Sequence, residues 1–310
     1  MTVSPLDSSH PPRLPTRDSR GHKGTFGTVV VVGGCAAAGK RMVGAPALCA
    51  TAALRSGCGL AKLVVPAPIA NAALTICPSA TGIPIAVDEA GEMIASEAAA
   101  VLDEQFAQAQ AVIVGPGLGS GASIRAISLR CVQQEDFPIV VDADAINALA
   151  EIPELWRDFK AAAVLTPHPG EYRRLAGALK IELDPTKDES RPEAAAALAR
   201  RLGCIVALKG SGTVVSDGQR TWVNHSGGAM LATAGTGDVL SGIIAGLAAQ
   251  FVSLGSRRSA TKPLDLFDAT RIAVHAHGLA GEAWSRKAGA DAGLLALELT
   301  ELLPAVLAKL

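Results

Sequence analysis

The chain has 310 residues, 49% hydrophobic but only 3% aromatic, so its core must be built from Ala, Val, Leu and Ile. That length suits one large α/β domain or two modest ones. A net charge of -1 with no basic block excludes an electrostatic case for nucleic acid or an anionic membrane as partner.

Residues 1–20 are rich in Pro, Ser and charge without periodicity, and read as a flexible N-terminal tail ahead of a single domain over 21–310. The β-branched run at 28–32 has the pattern of a strand buried on both faces, as in parallel sheets. An alanine-rich helix is expected at about 44–56 and a strand at 60–65, stopped by Pro66. The alternation then recurs. Helices at about 93–108, 121–133, 144–150 with 153–158, and 193–202 precede strands at 111–114, 138–141, 162–165 and 204–208. A further helix is expected at 169–178 and a polar surface excursion at 179–192. The D-G turn at Asp217-Gly218, between 213–216 and 219–224, predicts an antiparallel hairpin. Three helices follow, at about 236–252, 265–287 and 291–309, with Gly255-Ser256-Arg257-Arg258 as a solvated loop. This is the pattern of a three-layer α/β/α fold with a mostly parallel sheet, whose active site should lie outside the strands' carboxyl ends. Six cysteines, at 35, 49, 58, 77, 131 and 204, include no C-x-x-C pair and are expected as reduced core thiols. No signal-peptide-like run opens the chain and no 18-residue apolar stretch lacks breakers, so the cytoplasm is the expected setting.

The polar motifs fall just after the strands. Gly33 to Lys40 fits G-x-x-x-x-G-K, but Arg41 stands where a P-loop needs a metal-binding hydroxyl. A Gly/Ala-rich connection covering a ligand explains it better than a nucleoside triphosphatase. Gly115 to Gly121 reads as a tight turn or a loop packed on a ligand. Asp142 and Asp144 suit Mg²⁺ through waters, although capping of the next helix explains Asp144 better. In Thr166 to Glu171, two prolines hold His168 rigidly, with Glu171 in the first turn of a helix. Lys209, Gly210, Ser211, Gly212 and Thr213 offer small residues, hydroxyls and a cation to phosphate or ribose, or simply enter the hairpin. His275 and His277, two apart on a helix, face different ways and make poor joint metal ligands. Finally, Ala234 to Asp238 joins a glycine-rich loop to a long apolar helix. Free amides and the positive end of the helix dipole favour an anion there, and Asp238 adds a carboxylate able to take a proton. A plain helix start with Asp238 favoured by the dipole explains the same residues.

Taken in order, the motifs H-K-G…V-V-G-G, G-A-P-A-L, V-G-P-G-L-G, V-D-A-D-A-I-N-A-L, T-P-H-P-G-E, L-K-G-S-G-T and A-G-T-G-D-V-L-S-G resemble those of the ADP- or ATP-dependent NAD(P)H-hydrate dehydratases. These are a branch of the ribokinase-like fold, and the resemblance runs from about residue 21 to 284. It implies a repair lyase that phosphorylates the hydroxyl of hydrated NADH or NADPH (NADHX, NADPHX) and lets phosphate leave, with ADP expected over ATP. It places the hydrated cofactor against Ala45, Gly119, His168 and Asp238, with Asp238 as base. The adenine nucleotide falls against Lys209, Gly210, Ser211, Gly212, Thr213 and Gly237. Mg²⁺ is implied with the phosphates, with Glu171 and Asp142 as candidate ligands. A homotetramer and an NAD(P)H-hydrate epimerase on a separate chain are implied as well. The loop 35–43, with Lys40 and Arg41, looks longer than the family's usual one. The rival readings are a small-alcohol kinase of the same fold, of hydroxyethylthiazole or pyridoxal type, and a non-catalytic nucleotide-binding protein.

Overall fold

The computed structural model describes residues 9–254 and 263–310, and the backbone of residues 6 and 7. The expected loop at 255–258 lies outside the described residues. In chain order the elements are β1 (Leu6–Asp7), β2 (Thr28–Val32), α1 (Gly44–Arg55), β3 (Leu60–Pro66), α2 (Ala70–Ile76), β4 (Thr81–Ile85), α3 (Ala95–Phe106), β5 (Ala111–Val114), α4 (Ala122–Val132) and β6 (Ile139–Val141). They continue with α5 (Asp144–Leu149), β7 (Ala163–Leu165), α6 (Pro169–Ala178), α7 (Arg191–Leu202), β8 (Ile205–Leu208), β9 (Val214–Ser216), β10 (Thr221–Val223), α8 (Thr236–Phe251), α9 (Leu266–Ala288) and α10 (Ala296–Leu307).

One sheet runs through these elements in the order β1-β10-β9-β8-β7-β6-β5-β2-β3-β4. Every pairing is parallel except those of β9, which runs antiparallel to β8 and β10. The period-2 rule explains the uniform hydrophobicity of the central strands. Val29 and Val31 of β2 pack with α1, α2, α8, α9 and α10, whereas Val30 and Val32 face the layer of α3 to α7. The expected three-layer architecture is present.

Three elements escape the pattern read from the sequence: β1, within the segment read as a tail, and the pair α2 and β4. α2 and β4 occupy 70–85, where no strand was expected, because β4 is Thr-Gly-Ile-Pro-Ile. Pro84 and Gly82 argue against a central strand, and β4 is an edge, the place where a sheet tolerates proline. The helix expected at 153–158 is only a single 3-10 turn at Leu155–Arg157.

The segment read as a tail also makes specific contacts. The Trp222 indole N–H donates to the Ser9 carbonyl (3.1 Å), and Arg271 reaches the Ser9 carbonyl and hydroxyl, each at 2.9 Å. The Leu14 amide bonds the Leu310 carbonyl (3.0 Å), and the Arg17 guanidinium lies 3.8 Å over the Phe26 ring. Composition gave no sign of this, because the partners are 200 or more residues distant in most of these contacts.

The tightest helix pairing sets α8 against α1. A Cβ at Gly242 would stand 2.4 Å from the Cys49 carbonyl oxygen and 2.6 Å from Ala52 Cβ, and one at Gly246 2.9 Å from the Ala53 carbonyl oxygen. The absence of these side chains lets the two backbones touch and seats the N-terminus of α8 over the sheet. The overpacking cost of Gly242→Ala, about 1–3 kcal/mol, should exceed the helix-propensity gain of about 1 kcal/mol. The variant is therefore expected to unfold at lower denaturant than the parent chain. An unchanged or raised midpoint would show that α1 and α8 have slack.

Candidate active site at the carboxyl edge of the sheet

The carboxyl ends of β2, β5, β6, β7 and β8 carry the motifs. At the end of β6, Asp142 is buried (1% exposed) and almost fully committed. Its Oδ1 accepts from Lys209 Nζ at 2.8 Å and from the Ala143 amide at 2.9 Å, and its Oδ2 accepts from Ser241 Oγ at 2.8 Å. Lys209, just past β8, also has Nζ 3.9 Å from Glu171 Oε2. Burial works to lower the Lys209 pKa, but the facing carboxylates of Asp142 and Glu171 outweigh it and hold the ammonium charged. Burial raises the Glu171 pKa, with Lys209 opposing.

His168 is the N-cap of α6. Its Nδ1 accepts from the amides of Gly170 (3.0 Å) and Glu171 (3.3 Å), and the Glu171 carboxylate accepts from the His168 amide at 2.8 Å. This reciprocal capping box, locked by Pro169, is why the ring is rigid. With Nδ1 as acceptor, the neutral ring carries its proton on Nε2, 3.2 Å from Glu171 Oε1. The side chain is nevertheless half exposed.

Asp144 does not cap its helix. The N-cap of α5 is Ala143, held at φ 50°, and no side chain caps it. Asp144 Oδ2 instead accepts from the Gly119 amide at 2.8 Å, tying the β5 turn to α5. Ala45, in the first turn of α1, lies against the same turn: its Cβ is 3.4 Å from where a Gly117 Cβ would be. The first loop is no P-loop. Cys35 and Met42 pair across it as an antiparallel bridge, and α1 begins only at Gly44, four residues beyond Lys40. A small cavity of about 110 Å³ lies between Lys40, Cys35 and Gly119.

Asp238 is in the first turn of α8. Gly235 before it sits at φ 90°, which an L side chain rarely adopts, and a Cβ there would press on Leu48 and Ala296 at 2.8 and 2.9 Å. The turn is steadied from outside. Thr236 Oγ1 donates to the Leu231 carbonyl (2.7 Å), the half-buried His277 has Nε2 2.8 Å from the Thr236 carbonyl, and Cys49 Sγ donates to the Asp238 carbonyl at 3.2 Å. Burial pushes the His277 pKa down to about 4, so this ring is neutral and its N–H donates. The Asp238 carboxyl is pushed up to about 7, chiefly by burial and then by the Asp142 charge, with Lys209 opposing. A Gly237 Cβ would stand 3.5 Å from Lys209 Nζ, so the ammonium flanks the helix start.

Lys209, Gly210, Ser211, Gly212, Thr213 and Gly237 all border one cavity of about 780 Å³. Sequence reasoning missed Arg191, Asn224, His225 and His277 on the same wall. The strand-end rule reaches none of them, since they come from a helix start, the hairpin's exit and the middle of α9. All six cysteines are buried and free, as expected.

The carboxylates named as Mg²⁺ candidates do not fit direct ligation. Asp142 has both oxygens bonded to protein donors, and Glu171 faces the His168 amide and ring and Lys209. Among the described residues no group of three or more His, Cys, Asp or Glu is arranged to hold a metal ion.

Residues 29–305 match the NAD(P)H-hydrate dehydratase family. The chain is 37% identical over 283 residues to the ADP-dependent (S)-NAD(P)H-hydrate dehydratase of Neisseria meningitidis, covering 90% of this chain and 84% of that protein. It is 35% identical over 300 residues to the bifunctional NAD(P)H-hydrate repair enzyme of Moorella thermoacetica, covering 96% of this chain but 52% of that one. It thus spans about half the length of the bifunctional relatives it matches. The crystal structure of the ADP/ATP-dependent NAD(P)H-hydrate dehydratase of Bacillus subtilis, co-crystallised with ATP/Mg²⁺, is similar at a TM-score of 0.74 and 30% identity, covering 96% and 94% of the two chains. On this evidence the chain belongs to the NAD(P)H-hydrate dehydratase family, within the ribokinase-like fold.

Proposed function

We propose that this chain restores hydrated NADH and NADPH by nucleotide-dependent dehydration, with ADP as the expected phosphoryl donor. The observation that carries the reading is Asp238: a carboxyl poised near neutrality at the start of α8, beside amides suited to an anion. Asp238 takes the proton of the ring hydroxyl as its oxygen forms a bond to the terminal phosphorus. The bond from that phosphorus to the nucleotide breaks, leaving AMP from ADP. First-turn amides of α8 and the Lys209 ammonium stabilise the charge on the transferring group. In the second step the C–O bond breaks, phosphate departs, and a proton leaves the neighbouring ring carbon. The ring nitrogen's electron pair assists, and the dihydropyridine is restored. No oxidant is needed.

Ala45, Gly119 and His168 are read as the wall that holds the hydrated nicotinamide, and the 780 Å³ cavity as the nucleotide site. Any Mg²⁺ is read as arriving on the nucleotide's phosphates, with no direct protein ligand and no step assigned to it. A cytoplasmic homotetramer remains our expectation. An epimerase is the expected functional neighbour; the relatives named bifunctional repair enzymes join two functions in one chain, which speaks against the separate chain expected from the sequence.

Three outcomes test this reading. NADH absorbance should return when hydrated NADH is incubated with the protein, Mg²⁺ and ADP or ATP. A stable phosphorylated small alcohol with no such recovery would favour the kinase alternative. Asp238→Asn should abolish recovery while ADP still binds, and kcat/KM of the parent should rise with pH through about 7 as the base ionises. Persisting recovery in Asp238→Asn would remove Asp238 as base. Asp238 should also cost stability. Its folded pKa of about 7 lies above the ordinary 3.8, so its contribution is fully present below about pH 4 and is lost as pH rises towards 7. Asp238→Asn should therefore match the parent's pH dependence poorly, gaining of order 2–4 kcal/mol on it between pH 4 and pH 8. Parallel curves of denaturation midpoint against pH would show that the carboxyl is not held neutral.

A further inference from the structure

Arg191 opens α7, and none of the motifs points to it. It is 6% exposed, yet it borders the 780 Å³ cavity. Its guanidinium is spent on backbone carbonyls. One nitrogen, Nη2, donates to both the Leu208 carbonyl (3.2 Å) and the Gly212 carbonyl (3.1 Å), and Nη1 donates to the Pro185 carbonyl (3.3 Å). Leu208 and Gly212 are the two feet of the arch Lys209-Gly210-Ser211, so a single nitrogen ties both ends together. Pro185 belongs to the polar excursion before α7, which the same side chain holds against the arch.

The arch is shaped around this group. Gly210 has φ +149°, and a Cβ there would stand 2.6 Å from Nη1 and 2.9 Å from Nη2. Any side chain at 210 would push the guanidinium off its carbonyls. Arg191 makes no ion pair among the described residues, whereas the Lys209 ammonium is balanced by Asp142 and Glu171. The Asp188 carboxylate on the same cavity wall acts on it only from beyond ion-pair range, so a buried guanidinium hydrogen-bonded to neutral carbonyls keeps part of its positive charge unbalanced beside the cavity. An anionic occupant supplies that balance.

We propose that Arg191 is a positioning residue for the nucleotide: its planar fork pre-forms the 209–211 arch, and its charge favours a nucleoside di- or triphosphate in the cavity beneath. The proposal rests on reading that cavity as the nucleotide site. A lysine in its place keeps the charge but loses the planar fork that spans several carbonyls.

The test is calorimetric titration of ADP and of ATP into the parent chain, Arg191→Met, Arg191→Lys and Gly210→Ala, with steady-state dehydration alongside. The Kd for ADP should rise at least tenfold in Arg191→Met and in Gly210→Ala, and by less in Arg191→Lys. The KM for hydrated NADH should stay within about twofold, and kcat at saturating ADP should fall far less than the affinity. In a further variant, Arg191→Ala, guanidinium chloride at low concentration should recover ADP binding, and it should not improve the parent. Parent-like ADP affinity in Arg191→Met, or in Gly210→Ala should the arginine variants fail to fold, would overturn the proposal, as would equal rises in both KM values. Failure of the parent itself to bind either nucleotide would sink the nucleotide reading of the cavity, and this proposal with it.

Discussion

Asp142 is the point at which the carboxyl edge of the sheet is knotted together. It directly follows β6, but its two oxygens bind the lysine that follows β8 and the serine in the second turn of α8. A carboxylate buried this far is tolerable only when its lone pairs are filled and a cation faces it. Losing one partner of such a pair typically costs about 3–5 kcal/mol, because the other charge is left stranded. The same pair of bonds that makes Asp142 acceptable therefore fixes the register of α8 and the height of the 209–213 loop relative to the sheet. Helix, loop and strand cannot drift separately without breaking it.

That knot also sets the chemistry of its neighbours. The Lys209 ammonium is shared between Asp142 and Glu171, so it offers Asp238 only partial relief from burial and from the Asp142 charge. Asp142, Glu171 and Asp238 act on one lysine, and Asp144 acts on Asp238 beside it. The three that are anchored, to Lys209, to the Gly119 amide and to the His168 cap, have structural work. Asp238 is the one whose main-chain carbonyl rather than its carboxylate takes the structural bond, from Cys49. Its carboxyl stays free to exchange a proton near neutral pH. The division of labour follows from what each acid bonds: Asp144, Glu171 and Asp238 all sit in the first turn of a helix, and the proposed base is the one whose carboxylate holds no backbone amide.

Much of this was legible in the sequence because the fold obeys a local rule. Short buried strands of Val, Ile, Leu and Ala, most with a glycine, acid or histidine within three residues of their carboxyl ends, mark both the sheet and its candidate functional edge. The rule failed where an element is not buried on both faces. β4, with Pro84 and Gly82, reads as loop because an edge strand tolerates what a central one cannot. It failed again for side chains whose role depends on a distant partner. Asp144 looks like a cap, since caps are local, but its real partner is the amide of Gly119, 25 residues away. Arg191, His277 and the contacts of residues 9–17 are invisible for the same reason. Nothing in their immediate neighbours encodes a carbonyl brought in by the fold.

The first loop shows how the fold, and not the motif, decides what a glycine run can do. Gly33 to Lys40 satisfies a phosphate-loop spacing, yet a phosphate loop works because its lysine opens a helix whose amides converge on the anion. Here the chain turns back through the Cys35–Met42 bridge, and Lys40 is left exposed four residues short of α1. Among the described residues, a helix start with a glycine N-cap at positive φ and a lysine beside its first turn is found at α8. Gly33 and Gly34 serve a different need. A Cβ at Gly33 would stand 2.5 Å from the Pro116 carbonyl, and the Gly34 amide bonds that same oxygen at 2.9 Å. The first loop therefore lies directly on the β5 turn that carries Gly119. The two glycine loops build one wall against each other, and the groups proposed for phosphoryl transfer are assembled separately around Asp142. A sheet edge divided in this way can vary its first loop without disturbing the helix start that carries the proposed base.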